Sequence, residues 1–263
     1  MDPFPDIPVI NYHKISDRAD VGITSRKPDD FYHDLLLFHQ LGFRTVTFKD
    51  VALGKPLPEK PLILTFDDGY RSVLENAYPA MQSFGFTGVI FIPTAYMGKN
   101  NDWDVQFGGN RFKHLGEDDL RLLNRAGFEI GSHGHRHRAL TALAPKQAEE
   151  ELRVSKERLE TVLGEKVYSV SYPFGRFNRA LLQAAQNCGY RFGVVSVLLR
   201  APFWENGLGR LAVRRLNIYR MDSSKAIEQK LKKGFRCTLA YRDWLIQKGS
   251  SATILWQKWF RKS

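Results

Sequence analysis

The chain is poor in cysteine: Cys188 and Cys237 are the only two in 263 residues. They are too few and too far apart for a disulfide framework or a thiolate metal site, so both read as reduced structural thiols. Long apolar runs are also missing, and no stretch approaches the roughly 20 residues that cross a bilayer. The opening Met1-Asp-Pro-Phe-Pro-Asp6 lacks the basic and apolar regions of a signal peptide. The expectation is a cytoplasmic chain with neither leader nor membrane span. There is no low-complexity run, no internal repeat, and no histidine after His137.

What is present bounds the architecture. With 43% hydrophobic and 13% aromatic residues, the chain can bury one large core, which favours a single α/β domain with a short appendage over two equal domains. Its net charge of +11 is uneven: residues 210–263 carry 14 Lys and Arg against 3 Asp and Glu, and the remainder sums to zero. The same end holds Trp244, Trp256 and Trp259, three of the five tryptophans. Cations mixed with amphipathic aromatics fit a segment lying on an anionic membrane surface. A basic helix pair packed on the domain through its Trp side chains is the plainer reading. The division expected is a domain over residues 1–220 and a basic, Trp-containing helical extension over 221–263. No nucleic-acid module accompanies the cations, so no nucleic-acid partner is expected.

Hydrophobic spacing alternates strand with helix along the chain. Strands are expected at Pro8–Tyr12, Thr45–Phe48, Leu62–Phe66, Gly88–Ile92, Glu129–Ile130, Val167–Ser171, Phe192–Val197 and Leu211–Ile218. Helices are expected at Pro28–Leu41, capped by Asp and stopped by Gly42, then near Ser72–Phe84, Asp118–Ala126, Pro145–Leu163 and Asn178–Cys188. Repeated βα units imply a parallel sheet or barrel. Lys99–Gly109, with its Asn-Asn and Gly-Gly pairs, reads as an inserted loop placed to overhang a site.

Three clusters follow three of these strands: Asp67-Asp68-Gly69, then Gly131-Ser-His133-Gly-His135-Arg-His137, then Tyr172-Pro173-Phe174-Gly175. All emerge at strand C-termini, the face on which parallel α/β folds build their sites. Two adjacent carboxylates and two imidazoles four residues apart are what a metal hydrolase needs: donors for an ion, and one carboxylate left as a base. The spacing of His133 and His137 lets both face the same way from one helical turn, with one carboxylate completing three ligands. His135 alternates away and reads as solvated or supporting.

Thr65-Phe-Asp67-Asp68-Gly69-Tyr70, Glu129-Ile-Gly-Ser-His133-Gly-His135-Arg-His137 and Ser171-Tyr-Pro-Phe-Gly175 resemble the first three motifs of the NodB-like polysaccharide deacetylases, a carbohydrate esterase family. Pro8-Val-Ile-Asn-Tyr-His13 and the run Phe31 to Val51 are similar to the lead-in of one bacterial branch. The resemblance spans roughly residues 7–220. It implies a distorted (β/α) barrel, Asp68, His133 and His137 as ligands of a divalent metal, and Asp67 as general base. Zn²⁺ suits such a His₂Asp set, and Co²⁺, Ni²⁺ or Mn²⁺ fit the same ligands. The ion would acidify its water and polarise an acetamide carbonyl while Asp67 takes the proton. Tyr172, Pro173, Phe174 and Gly175 would line the substrate, with a backbone N–H near Phe174 against the oxyanion.

Two departures from the family pattern stand out. Ser171 and Phe174 occupy positions where members commonly place Arg and Tyr, and Val213-Arg214-Arg215-Leu216 lacks the His that usually protonates the leaving amine. His13, at the end of the first strand, is the substitute acid that position offers. The implied activity is metal-dependent removal of acetyl from an N-acetylated sugar or polysaccharide, including a sugar carried on lipid. The opposing reading is a glycan-binding pseudoenzyme that retains the pocket without its acid.

Overall fold

Strand periodicity decides what lies inside this molecule, because alternate residues of each strand face opposite ways. The computed structural model describes residues 4–18, 24–101, 111–196 and 208–232. Among them the strands are β1 (Val9–Tyr12), β2 (Lys14–Ile15), β3 (Ser25–Arg26), β4 (Arg44–Thr45), β5 (Pro61–Phe66), β6 (Val89–Ile92), β7 (Glu129–Ser132), β8 (Ser169–Ser171), β9 (Phe192–Ser196) and β10 (Val213–Asn217). The α-helices are α1 (Pro28–Gln40), α2 (Phe48–Ala52), α3 (Tyr78–Ser83), α4 (Glu117–Arg125), α5 (Pro145–Leu163), α6 (Arg179–Asn187) and α7 (Ser224–Leu231).

Strands β5 to β10 pair in sequence order, all parallel, and β1 closes the ring by pairing with both β10 and β5. The result is the expected (β/α) barrel, with seven strands and the helices outside. The short β4 pairs with the first residues of β5, just before the stretch that β1 covers. Outward-facing Ile10, Leu64, Phe66, Ile90, Ile130 and Val170 bury against the helices. At the closed end of the lumen, Val9, Ile63, Val89, Phe91, Phe192, Val194 and Val213 pack with Ile7, Val46 and Phe48. The lumen is tight there: a Cβ on Gly131 would come within 2.6 Å of the Phe91 ring and 2.8 Å of Ser169 Oγ.

Two sequence expectations are corrected locally. Phe48 begins a helix rather than ending a strand, because Thr47 and Asp50 form a reciprocal capping box that satisfies the first backbone donors of α2. Helix α1 has Lys27 at its N-cap with no side-chain cap; Pro28 starts it, and Asp29 and Asp30 lie in the first turn, where they favour the helix dipole.

The basic end of the chain is partly interior. Arg215 is 1% exposed, and Lys230, 3% exposed, is paired with Asp222 at 2.8 Å. Arg26 pairs with Asp34 and donates to the carbonyls of Tyr219, Arg220 and Asp222, tying the segment after β10 to α1. Helix α7 is thus packed on the barrel, with Ile227 fully buried. The remaining Trp-bearing extension, residues 233–263, and residues 102–109 of the inserted loop lie outside the described residues, as does Cys237. Among the described residues no helix is long and apolar enough to cross a membrane.

Glu129 sits at the closed end of the lumen, accepting from Ser169 Oγ at 2.6 Å and from the Lys49 N–H at 2.7 Å. Burial pushes its carboxyl up from 4.5 to about 7, although both bonds oppose the rise. The folded state therefore binds the proton more tightly than the unfolded chain. Its stabilising effect is complete below pH 4.5 and is lost as pH rises to about 7, a change of about 3 kcal/mol at most. In Glu129→Gln the amide can accept from Lys49 and donate to Ser169, so this pH dependence should vanish. Urea unfolding of both proteins at pH 5 and pH 8 checks it: the variant should gain on wild type at pH 8, and an equal gap at both pH values would remove Glu129 as the source.

Candidate active site

The open end of the barrel collects polar residues on the strand positions that face inward. Asn11, Thr65, Asp67, Ser171, Arg215 and Asn217 are all 5% exposed or less. Asp67 continues β5, its N–H donating to the Tyr12 carbonyl at 3.0 Å. Asp68 and Gly69 then turn through left-handed backbone, φ +68° and +59°, which swings the Asp68 side chain across the mouth. Glycine suits the second position of that turn, where the positive φ strains other residues and a Cβ would push Ile92 Cδ1, 2.5 Å away, aside.

His133 directly follows β7, and His137 follows it through Gly134 at φ +73°, with His137 itself at φ +50°. The two imidazoles therefore converge through a folded loop, not through the helical turn that their spacing suggests. Helix α5 holds that loop from outside: Glu151 Oε2 accepts the N–H groups of His135 at 3.0 Å and Arg136 at 2.7 Å. Ser132 Oγ accepts from the Gly134 N–H and pairs with Ser155 Oγ. Asp68, His137 and Phe174 are the non-glycine residues with positive φ among those described. All three are at this mouth, and strain of this kind persists only where surrounding contacts over-determine it.

Asp68 Oδ1, His133 Nε2 and His137 Nε2 form a triangle with edges of 3.4, 3.3 and 3.2 Å. Three ligands about 2.0–2.1 Å from a tetrahedral Zn²⁺ stand roughly 3.3–3.4 Å apart, so the triangle has the size of one face of such a site. His133 Nδ1 donates to the Ser171 carbonyl at 2.7 Å, which fixes the ring with Nε2 turned into the triangle. Burial drives the His137 imidazole down to about 4 despite the adjacent Asp68. For His133 burial acts the same way, but Asp67 and Asp68 together raise its value. Burial would likewise raise Asp68, yet its bonds to the two imidazoles hold it well below the carboxylate range. One carboxylate and two imidazoles, each ring giving up any Nε2 proton as an ion binds, fit a divalent ion.

Asp67 has a different partner. Arg215, from β10, grips it with both ends of the guanidinium: Nη1 donates to Oδ1 at 2.8 Å and Nη2 to Oδ2 at 2.6 Å. Nη1 also reaches Asn11 Oδ1 at 2.8 Å, and Nη2 reaches Ser171 Oγ at 3.0 Å. Burial alone would raise the Asp67 pKa, but the charges of Arg215 and His133 hold it far below the ordinary range. The family's usual Arg is absent at Ser171, and Arg215 reaches that position from another strand. The sequence reading counted Arg215 in the charge of the basic end and placed it on the strand Leu211–Ile218 without a role in the site. Its place two residues from both Val213 and Asn217, on the same buried face of the strand, was the available signal.

His13 follows β1 near enough to the site for Asp68, Asp67, Arg215 and His133 to act on it, and burial lowers its pKa below the ordinary 6.5. His135 turns aside to Thr94 Oγ1 at 2.9 Å. Of the third cluster, Tyr172 is fully buried on the helix side, and that burial pushes the pKa of its hydroxyl up. Phe174, at φ +61°, sets its ring against His137 at 5.0 Å. The turn's Gly175 N–H is committed to the Tyr172 carbonyl at 2.9 Å. His114, on the segment that follows the inserted loop, brings its Nδ1 to 2.7 Å from the Asp68 carbonyl.

A closed parallel barrel with this donor set at its open end defines a NodB-like barrel hydrolase. Residues 54–193 match the polysaccharide deacetylase family model, and the chain belongs to that family. YxkH of Bacillus subtilis (strain 168), which carries a polysaccharide deacetylase name, is 29% identical over 194 residues, covering 72% of this chain and 64% of its own length. The poly-beta-1,6-N-acetyl-D-glucosamine N-deacetylase of Escherichia coli (strain K12) is 30% identical over 104 residues, 38% of this chain and 16% of that protein. The matches thus span less than two thirds of either relative. Among solved structures, the Streptococcus pyogenes deacetylase PplD in complex with acetate superposes with a TM-score of 0.72 at 21% identity, over 88% of this chain and 100% of its own. IcaB from Ammonifex degensii gives 0.67 at 21%, over 84% and 94%. At these identities the two structures support the fold.

Proposed function

We propose that the protein hydrolyses the acetamide of an N-acetylated sugar within a polysaccharide or on a lipid carrier, with Asp68, His133 and His137 holding a divalent metal, Zn²⁺ by preference. Such an ion, when bound, polarises the acetyl carbonyl and acidifies a water molecule. Asp67, kept ionised by Arg215, takes the proton of the attacking water at Oδ1 or Oδ2. A backbone N–H near Phe174 would stabilise the developing oxyanion, the Gly175 N–H being committed to its own turn. His13 returns a proton to the departing amine, a role that its lowered pKa confines to the acidic side of the usual histidine range. The E. coli relative's name points to β-linked N-acetylglucosamine polymers as the first substrates to try.

One observation carries this reading over a glycan-binding pocket: the bidentate Arg215–Asp67 pair. A binding module has no use for a second buried carboxylate held ionised beside the first. The test is elemental analysis of the purified chain together with acetate release from N-acetylglucosamine oligomers. Stoichiometric metal and released acetate are expected. His133→Ala and His137→Ala should each remain folded, lose metal and release no acetate. Full metal content in both variants would sink the ligand assignment, and a metal-loaded wild type that releases no acetate from any acetylated sugar would favour the binding module.

A further inference from the structure

We infer that His114 is a positioning residue for the metal-binding carboxylate: its Nδ1–H holds the Asp68 carbonyl, and so the left-handed turn that aims Asp68 Oδ1 at His133 and His137. The inference rests on the reading of Asp68 as a metal ligand. A carbonyl oxygen only accepts, so the 2.7 Å contact requires the proton on Nδ1. The ring is 1% exposed and stacked on Tyr70 at 5.0 Å and 19°, with Tyr96 at 5.8 Å on the ring's surroundings.

The bond is one of three by which a distant segment grips the turn after β5. The Arg71 N–H donates to the Lys113 carbonyl at 2.8 Å, His114 Nδ1 to Asp68, and the Leu115 N–H to the Gly69 carbonyl at 2.9 Å. Segment 112–115 is in turn paired with residues 98–101 through Gly98 N–H to Leu115, His114 N–H to Lys99 and Asn101 N–H to Phe112. Two of the three grips are main chain to main chain and would survive any substitution. His114 supplies the third, and it alone acts on the residue that carries the ligand. A non-glycine residue at φ +68° does not keep that conformation unaided. Outer partners of this kind usually set metal affinity by 10–100-fold, because they fix where the donor points before the ion arrives.

The experiment titrates Zn²⁺ against a competing chelator, using the full chain as wild type, His114→Phe, His114→Asn and Asp68→Ala. Circular-dichroism melts of the metal-free proteins accompany it. Phe keeps the ring stack on Tyr70 and deletes the donor; Asn places an amide N–H near where the imidazole held its own. His114→Phe should bind Zn²⁺ roughly 10–100-fold more weakly with little change in its metal-free melt, and His114→Asn should recover most of that loss. Wild-type affinity in His114→Phe, with binding abolished in Asp68→Ala, would overturn the inference and leave the metal site standing. Wild-type affinity in Asp68→Ala would instead overturn the ligand reading on which it rests. If His114→Phe does not fold, ¹⁵N NMR of the wild-type imidazole decides: a protonated Nδ1 in the metal-free and Zn²⁺-loaded protein upholds the bond, and a protonated Nε2 with bare Nδ1 refutes it.

Discussion

Replacing Asp67 by Asn should lower acetate release by roughly two to four orders of magnitude, the usual worth of general acid–base catalysis, while bound metal stays at the wild-type level. The amide matches the carboxylate in size and still accepts one hydrogen bond from Arg215, but it cannot take up a proton. Asp67 lies outside the donor triangle and faces Arg215 instead, which is why the ion should be indifferent to the change. Initial rates at saturating substrate, paired with elemental analysis, check both halves. A variant that retains most of its activity would move the base elsewhere; loss of the ion would place Asp67 among the ligands.

Arg215→Met should be the most destabilising single change at the site. It leaves the Asp67 carboxylate, 4% exposed, with the Asn11 amide at 3.4 Å as its remaining side-chain donor. Removing one partner of a buried ion pair typically costs about 3–5 kcal/mol. The sign with pH follows from the depressed Asp67 pKa: the pair stabilises the fold above the unfolded value of 3.8, and that contribution fades as pH falls toward the folded value. The gap between wild type and Arg215→Met, read by urea unfolding of the metal-free proteins, should therefore narrow as pH is lowered past 3.8. In an Asp67→Asn background the same substitution should cost much less, because no buried charge is left unpaired. An equal cost in both backgrounds would show that Arg215 acts by filling the lumen.

The parts of this site legible in the sequence are those that sit next to each other along the chain. Asp67 and Asp68 are adjacent, His133 and His137 are four apart, and each set directly follows an apolar run, so position at a strand end could be read without folding anything. Arg215 and His114 were not legible in the same way, because their partners lie 148 and 46 residues away. An inventory by charge counted Arg215 with the basic end and gave it no partner. The demand that a buried carboxylate find a cation would have sent it to the lumen. The helix at Phe48 was readable, since Thr47 and Asp50 stand at capping-box spacing, but a short apolar pair there looks equally like a strand. The imidazole loop shows the reverse case: the spacing identified the residues, while Gly134 and the positive φ of His137 set a path that spacing alone does not encode.

The placement of Arg215 also ties the enzyme's chemistry to the order in which the chain is made. Asp67 emerges from the ribosome early, on β5, whereas its counter-charge arrives about 150 residues later on the strand that seals the ring between β9 and β1. Until that last strand inserts, an unfinished barrel can present both histidines and both aspartates but not the guanidinium that fixes Asp67 in place. On the proposed function, the positioning of the base and the closure of the ring are then a single event.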